Sequence, residues 1–333
     1  MQIYTHHSLQ HYNTFGIDAY ASIFVVLENK NDIESALIQY WKPKLILWWW
    51  SNIVLTKDIE WVVWHPKFLE RTITNEWDNI ILTCGAGYNW HEIVLYTIEN
   101  WWRGIENLIA IPGNIWSAPV QNIWAYWVQL EDCFISLEAY DLEEQSYIIL
   151  DKQACNFWYR DSIFKQNPWK YLICNISLVL WKQWKPNLSY KQIADIFSAQ
   201  WITTPSQKEV AEAIEKIRRS KLPKPEDLWN CGSFFKNPIV SKSYLDNLLL
   251  MHPTIPHYPY DTNNEKLSAA RLIDNAWLKW IRHGNIWTYI HQPLIIVNYW
   301  WWTWYDIVLF SDHLIQRVYD TFGITLHREV NIF

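Results

Sequence analysis

Ile111-Pro112-Gly113-Asn114-Ile115-Trp116-Ser117-Ala118-Pro119-Val120-Gln121-Asn122-Ile123-Trp124-Ala125-Tyr126-Trp127 is the stretch on which the fold of this chain turns. It has neither the helical nor the strand period, yet it concentrates small residues, side-chain amides and one hydroxyl. Such a segment suits close wrapping around a flat cofactor with polar edges. Upstream, Leu45-Ile46-Leu47-Trp48-Trp49-Trp50-Ser51-Asn52 reads as a strand running into a turn. With glycine at 48–50, that turn would offer successive backbone N–H groups as a nest for a pyrophosphate. A plain turn is the other reading.

Two downstream strings carry chemistry of a different kind. In Phe157-Trp158-Tyr159-Arg160-Asp161-Ser162-Ile163-Phe164-Lys165, the Arg160 guanidinium could grip a carboxylate with two parallel bonds. In Asn230-Cys231-Gly232-Ser233-Phe234-Phe235-Lys236-Asn237-Pro238, a hydroxyl sits beside two aromatics. Taken singly, the first also reads as a structural Arg-Asp pair and the second as a buried turn. Gly85-Ala86-Gly87 lacks a clear third glycine and reads as a strand-to-helix turn, not a dinucleotide fingerprint.

Composition narrows the class. Half the residues are apolar and 19% charged, which excludes a disordered chain. A net charge of −6 without a basic run argues against nucleic acid as a partner. The five cysteines are too scattered for a disulfide framework, and no His or Cys spacing suggests a metal site. No basic start with an apolar run marks a signal peptide, and no apolar run is long enough to insert in a membrane. A cytoplasmic protein is expected.

Tryptophan is the anomaly: the chain has 26 Trp and 8 Gly in 333 residues, where ordinary usage would place roughly 23 Gly. The Trp residues fall where turns are demanded and not on one face of a strand or helix, which disfavours an aromatic sugar-binding or membrane-interface surface. If roughly 22 of them were glycine, glycine would reach about 30 and both residues would return to normal usage. Reading UGA codons as tryptophan in a gene whose lineage reads them as glycine would produce this pattern. Trp90 and one of Trp101 and Trp102 read as genuine.

The chain is long enough for two or three domains. Strands are expected at 23–27, 45–47, 80–84, 134–140, 171–180 and 294–298. Helices are expected from a capping box at Asn31 to about Tyr40, after an Asn89 cap, from a Ser206 box to before Pro223, at 241–251, at 266–276, and from Tyr305 to Phe322 with Gly323 ending it. The proline-bearing stretch 221–227 reads as a linker.

Taken together, Asn13-Thr14-Phe15, Gly104-Ile105-Glu106-Asn107-Leu108, Ile111-Pro112-Gly113, Pro119-Val120-Gln121-Asn122-Ile123, Tyr159-Arg160-Asp161-Ser162 and Gly232-Ser233-Phe234-Phe235-Lys236-Asn237-Pro238 resemble the UDP-N-acetylenolpyruvoylglucosamine reductase family over nearly the whole chain. The tract holding Leu188-Ser189-Tyr190 is similar to that of the subtype whose tyrosine loop closes over substrate. The resemblance implies an α+β architecture: an FAD-binding fold of the vanillyl-alcohol-oxidase type in two subdomains, 1–70 and 71–220, and a substrate domain at 221–324. The C-terminal strand at 325–333 is expected to join the first subdomain.

It also implies NADPH as hydride donor, bound FAD, a UDP-sugar enolpyruvate substrate and a monomer. Arg160, Ser233 and Glu329 match the catalytic positions: a cation and an acid for the growing enolate, and a proton donor for the α-carbon. Cofactor contacts are expected from Trp48, Trp49, Trp50, Ser51, Asn52, Pro112, Gly113, Asn114, Ser117, Ala118, Gln121, Asn122, Ile123 and Tyr159. Substrate contacts are expected from Tyr190, Lys221, Asn237 and Gln292. The chain departs from the family in showing Trp where it has glycine and Asn331 where an arginine often stands. Another FAD oxidoreductase of this fold, or an inactive aromatic-rich binding protein, is the alternative.

Overall fold

The computed structural model describes residues 1–47, 52–183, 185–224, 227–299 and 304–333. The chain divides into two compact units: Met1–His7, Ala21–Trp50 and Ile59–Arg218 form one, and Ser8–Tyr20, Ser51–Asp58 and Arg219–Phe333 the other. The later change of unit falls between Arg218 and Arg219. No described helix is long and apolar enough to cross a membrane.

The first unit holds two sheets, one on either side of residue 70 in sequence. In the first, strands Gln2–Ser8, Tyr20–Leu27, Ile59–Pro66 and Leu45–Ile46 lie in that order. Tyr20–Leu27 and Leu45–Ile46 each run parallel to Ile59–Pro66. The Asn31–Tyr40 helix, burying Ile33 and Ala36, is the crossover that joins these two flanking strands. The helix starts differently from expectation. Lys30, not Asn31, is its cap and makes no side-chain cap bond; the Asp32 carboxylate instead accepts the backbone N–H groups of Glu28 and Asn29 at 2.8 and 3.2 Å.

The second sheet is antiparallel, in the order Ser146–Asp151, Phe134–Asp141, Tyr171–Trp181, Asn79–Gly85, Arg71–Asn75. Its middle strand alternates as a half-buried strand must: Leu172, Cys174, Ile176, Leu178 and Leu180 are all buried. Gly85-Ala86-Gly87 then turns from strand into the Trp90–Glu99 helix. A Cβ on Gly85 would stand 2.4 Å from the Phe68 carbonyl oxygen, and one on Gly87 2.8 Å from it, so only bare backbone passes there. Asn89 caps the helix through the Glu92 N–H at 3.2 Å. The Ser206–Glu209 box opens the Gln207–Lys221 helix in both directions, with Ser206 N donating to the Glu209 carboxylate at 2.7 Å and Glu209 N to Ser206 Oγ at 3.3 Å.

The second unit contains an antiparallel sheet ordered Trp229–Ser233, Ile295–Asn298, Ile286–Thr288, Arg282–His283, and a smaller one ordered Ile239–Ser241, Asn264–Leu267, His257–Pro259. Residues 264–267 are strand where the sequence pattern places the start of a helix. Ser268 Oγ accepts the Arg271 N–H, so the helix begins at Ala269. The Trp304–Phe322 helix stops at Gly323, whose φ is 68°. Near the end of the chain, Asn331–Ile332 runs parallel to Ile53–Val54.

Candidate active site

In the first unit, Arg160 sits at the tip of a two-residue turn. Trp158 and Asp161 exchange backbone bonds at 3.1 and 3.2 Å, and Arg160 adopts φ 55°. The Asp161 carboxylate anchors this turn by accepting from the Ser162 N–H and from the Gln166 amide, both at 3.0 Å. Ser162, fully buried, donates to the Val120 carbonyl at 2.7 Å and so ties the turn to the 111–123 segment. Asp161 is therefore a fixture of the turn, and Arg160 is what the turn presents.

Sequence reasoning missed two residues beside it. Arg218, on the last turns of the Gln207–Lys221 helix, donates through Nε to the Ala110 carbonyl at 3.2 Å and bonds the Tyr126 hydroxyl. Desolvation lowers its pKa first, and the nearby Arg160 charge lowers it further. Burial pushes the Tyr126 phenol up to about 12, against the pull of Arg218. Tyr190, which begins the Lys191–Ala199 helix, meets Tyr126 edge-on at 4.9 Å. Two guanidiniums and two phenols are thus gathered in one unit, a donor set suited to a carboxylate or phosphate.

The 111–123 segment is compact and side-chain-poor. Gly113 has φ 120°, a Cβ there would stand 2.8 Å from Ser117 Oγ, and its carbonyl accepts the Trp90 N–H at 2.9 Å. Ser117 Oγ donates to the Asn114 carbonyl at 2.7 Å, and the Asn114 amide to Gly87 O at 3.3 Å. Ala118 and Ile123 are buried, whereas Pro112 and Gln121 stay partly accessible. The Asn122 side chain is committed internally: its oxygen takes the Glu131 N–H at 3.0 Å and its amide reaches Gln129 and Glu131 at 3.4 Å. Tyr159 lies edge-on to Trp124 at 6.4 Å. Backbone that a single Cβ would obstruct, flanked by amides and hydroxyls, fits a flat heteroaromatic group. Trp48, Trp49, Trp50 and Ser51 lie outside the described residues.

In the second unit, Ser233 ends the Trp229–Ser233 strand, exposed. The register against Ile295–Asn298 slips between Asn230 and Ser233, which oppose Val297 and Ile295. One extra residue is thereby inserted, and Gly232, at φ 73°, absorbs it while its N–H reaches the Asn230 side chain at 3.0 Å. A bulge re-aims the side chain that follows it. Beyond it, Glu329 N–H donates to Phe234 O and Lys236 N–H to His327 O, both at 2.8 Å, so Glu329 is pinned one residue from Ser233 along the ladder. Glu329 is 7% exposed, and its carbonyl accepts from Asn52 at 3.2 Å. Burial, then the charge of Glu329, raises the Cys231 thiol well above its ordinary range.

Asn237 is engaged structurally, its side-chain oxygen capping the Ala269 N–H at 3.0 Å. Gln292 lies half-buried in the turn before Ile295, its N–H donating to Tyr289 O at 3.2 Å. Lys221, at the end of its helix, has its pKa lowered by burial. Ser233 and Glu329 thus belong together in one unit, and Arg160 to the other.

Residues 224–333 match the family model described as UDP-N-acetylenolpyruvoylglucosamine reductase, C-terminal domain. A protein named UDP-N-acetylenolpyruvoylglucosamine reductase from Flavobacterium johnsoniae is 37% identical over 336 residues, covering 100% of both chains. Its namesake from Polynucleobacter asymbioticus is 36% identical over 329 residues, 97% of this chain and 94% of that one. The crystal structure of UDP-N-acetylenolpyruvylglucosamine reductase from Thermus caldophilus matches with a TM-score of 0.68 at 18% identity, over 100% of this chain and 98% of that chain.

Proposed function

The chain belongs to the UDP-N-acetylenolpyruvoylglucosamine reductase family, and from that membership we propose that it reduces the enolpyruvyl group of a UDP-N-acetylglucosamine ether to give UDP-N-acetylmuramate for peptidoglycan. It is an enzyme of the flavin-dependent oxidoreductase class, with the α+β FAD-binding fold and C-terminal domain of its relatives. Bound FAD would supply hydride chemistry at the alkene carbon β to the carboxylate, with NADPH as the reductant.

The chain's own groups do the rest. Hydride addition leaves negative charge spread into the substrate carboxylate, and the Arg160 guanidinium, presented by its backbone-bonded turn, would hold that oxygen as the charge grows. Arg218 reinforces it, because its bonds to Ala110 and Tyr126 fix its head in place. Ser233 delivers a proton to the α-carbon; a serine is a weak acid, so its placement has to compensate. Glu329 stabilises the same enolate. Lys221 meets the diphosphate as a point charge, with Tyr190, Asn237 and Gln292 contributing further substrate contacts. The 111–123 segment and Tyr159 would hold the cofactor in the first unit, and Asn52 is assigned to it by resemblance to the family.

The observation that carries this reading is the Gly232 bulge, which sets an exposed serine one residue from the backbone bridge that ties down Glu329. The enzyme works in the cytoplasm as a monomer; all five cysteines are free and buried, which suits a reducing compartment. Anaerobic mixing of purified protein with NADPH and then with the enolpyruvyl UDP-sugar is the test. A yellow protein bleached by the first and recoloured by the second is expected, and a protein that holds no flavin after reconstitution refutes the reading.

A further inference from the structure

Of the 26 tryptophans, seven (48–50, 184 and 300–302) lie outside the described residues, which leaves nineteen. Seven of those nineteen, Trp41, Trp101, Trp127, Trp169, Trp201, Trp277 and Trp280, have φ between 56° and 69°. A few per cent of non-glycine residues adopt positive φ, and bulky ones do so least, so about one in nineteen would be ordinary.

Three of these positions share a single geometry. After the Trp90–Glu99 helix, Trp102 N donates to Thr97 O at 2.9 Å and Trp101 N to Ile98 O at 3.1 Å. After the Lys191–Ala199 helix, Ile202 N reaches Phe197 O at 3.0 Å and Trp201 N reaches Ser198 O at 3.1 Å. After the Ala269–Asn275 helix, Leu278 N reaches Ile273 O and Trp277 N reaches Asp274 O, both at 3.0 Å. Each is the paired 6→1 and 5→2 termination whose left-handed residue is usually glycine, because a Cβ strains it. Gly323 ends the Trp304–Phe322 helix with φ 68°. Trp41 closes the Asn31–Tyr40 helix at φ 59° and ψ −157°, at the edge of a region that is essentially glycine's alone.

Packing gives no compensation for that strain. Trp101, Trp201 and Trp277 are 64%, 92% and 88% exposed. Other tryptophans behave as tryptophan should: Trp90 is 1% exposed with its indole N–H on Leu108 O at 2.9 Å. Trp102 is half-buried, edge-on to Tyr96 at 5.5 Å, and has no positive φ. The chain therefore holds two populations under one letter.

We infer that the natural protein carries glycine at Trp41, Trp101, Trp127, Trp169, Trp201, Trp277 and Trp280, the codon UGA being read as glycine where the gene is expressed. Trp90 and Trp102 remain tryptophan. The inference rests on backbone geometry and stands apart from the reaction proposed above.

The test has two arms. Peptide mass spectrometry of the protein isolated from its own source should show the glycine mass at the seven positions and the tryptophan mass at 90 and 102; tryptophan masses at the seven overturn the inference. In a host with the standard code, Trp101→Gly, Trp201→Gly and Trp277→Gly should each raise the folding equilibrium constant about tenfold as the left-handed strain is relieved, while Trp90→Gly lowers it. Should the parent chain fail to fold, recovery of a folded protein in the triple glycine variant supports the inference. Glycine variants no more stable than the parent, or a triple variant that also fails to fold, overturn it.

Discussion

The backbone N–H of Glu329 donates to the carbonyl oxygen of Phe234 at 2.8 Å, so an antiparallel bridge ties the backbone that carries Glu329 to the residue next to Ser233. In the proposed reaction this main-chain bridge would prearrange acid and proton donor and spare part of the reorganisation that mobile segments would add.

Ser233→Ala should leave reduction of the flavin by NADPH within a few-fold of the parent and slow its reoxidation by substrate by about 10²–10⁴-fold, the usual range for a lost proton-transfer group. Stopped-flow absorbance separates the two half-reactions. Equal slowing of both contradicts the proton-donor role.

Gly232→Ala addresses the bulge. A Cβ there meets nothing within 4 Å, so any effect comes from φ 73° alone. The fold should lose about 1 kcal/mol, and turnover should fall further than stability explains because Ser233 is re-aimed. Denaturant melts beside kcat provide the comparison; unchanged kcat would show the bulge to be irrelevant.

Arg160→Ala removes the cation expected at the enolate, and kcat should drop by roughly 10²–10³-fold. Arg218→Met, which keeps an unbranched side chain, should raise KM and lower kcat by a smaller factor, and should let Tyr126 ionise at higher pH once the cation is gone. A Tyr126 titration seen by ultraviolet difference spectra that does not move on Arg218→Met would break the assigned pairing.

His65 stacks on Phe24 at 5.6 Å and donates through Nδ1 to the Leu47 carbonyl at 2.9 Å. Burial, outweighing that bond, holds its pKa below the ordinary 6.5, with the charge of Lys67 a lesser cause. The folded chain therefore binds this proton less readily than the unfolded chain, so its contribution to stability is whole above 6.5 and is lost as the pH falls below it. His65→Gln should flatten urea-midpoint profiles between pH 7 and pH 5. An unaltered slope would assign the acid sensitivity elsewhere.

Legibility in the sequence followed the strength of local signals. Asn89 and Ser206 marked their helices because their side chains make the capping bonds their spacing implies. The Lys191–Ala199 helix was invisible because Tyr190 caps it without a side-chain bond. Ile239–Ser241 and His257–Pro259 are three-residue strands, too short for a period to show. Arg160 and Ser233 were assigned on quoted motif strings, and Glu329 only through the resemblance to the family. Arg218 escaped because Arg218-Arg219 near a helix end reads as a solvated tip, and only folding sets its guanidinium against Tyr126.

The pairing of Asn331–Ile332 with Ile53–Val54 has a consequence for the newborn chain. Asn52 and Glu329 are 277 residues apart, so at about 5–20 residues per second the earlier segment waits roughly 15–55 s in the emerging polypeptide for its partner. Throughout that interval its ladder groups are open to water, to chaperones and to proteases. A chain cut short before Glu329 would lack both the partner strand and that carboxylate, so pairing of the 53–54 segment waits on a stretch translated long after it.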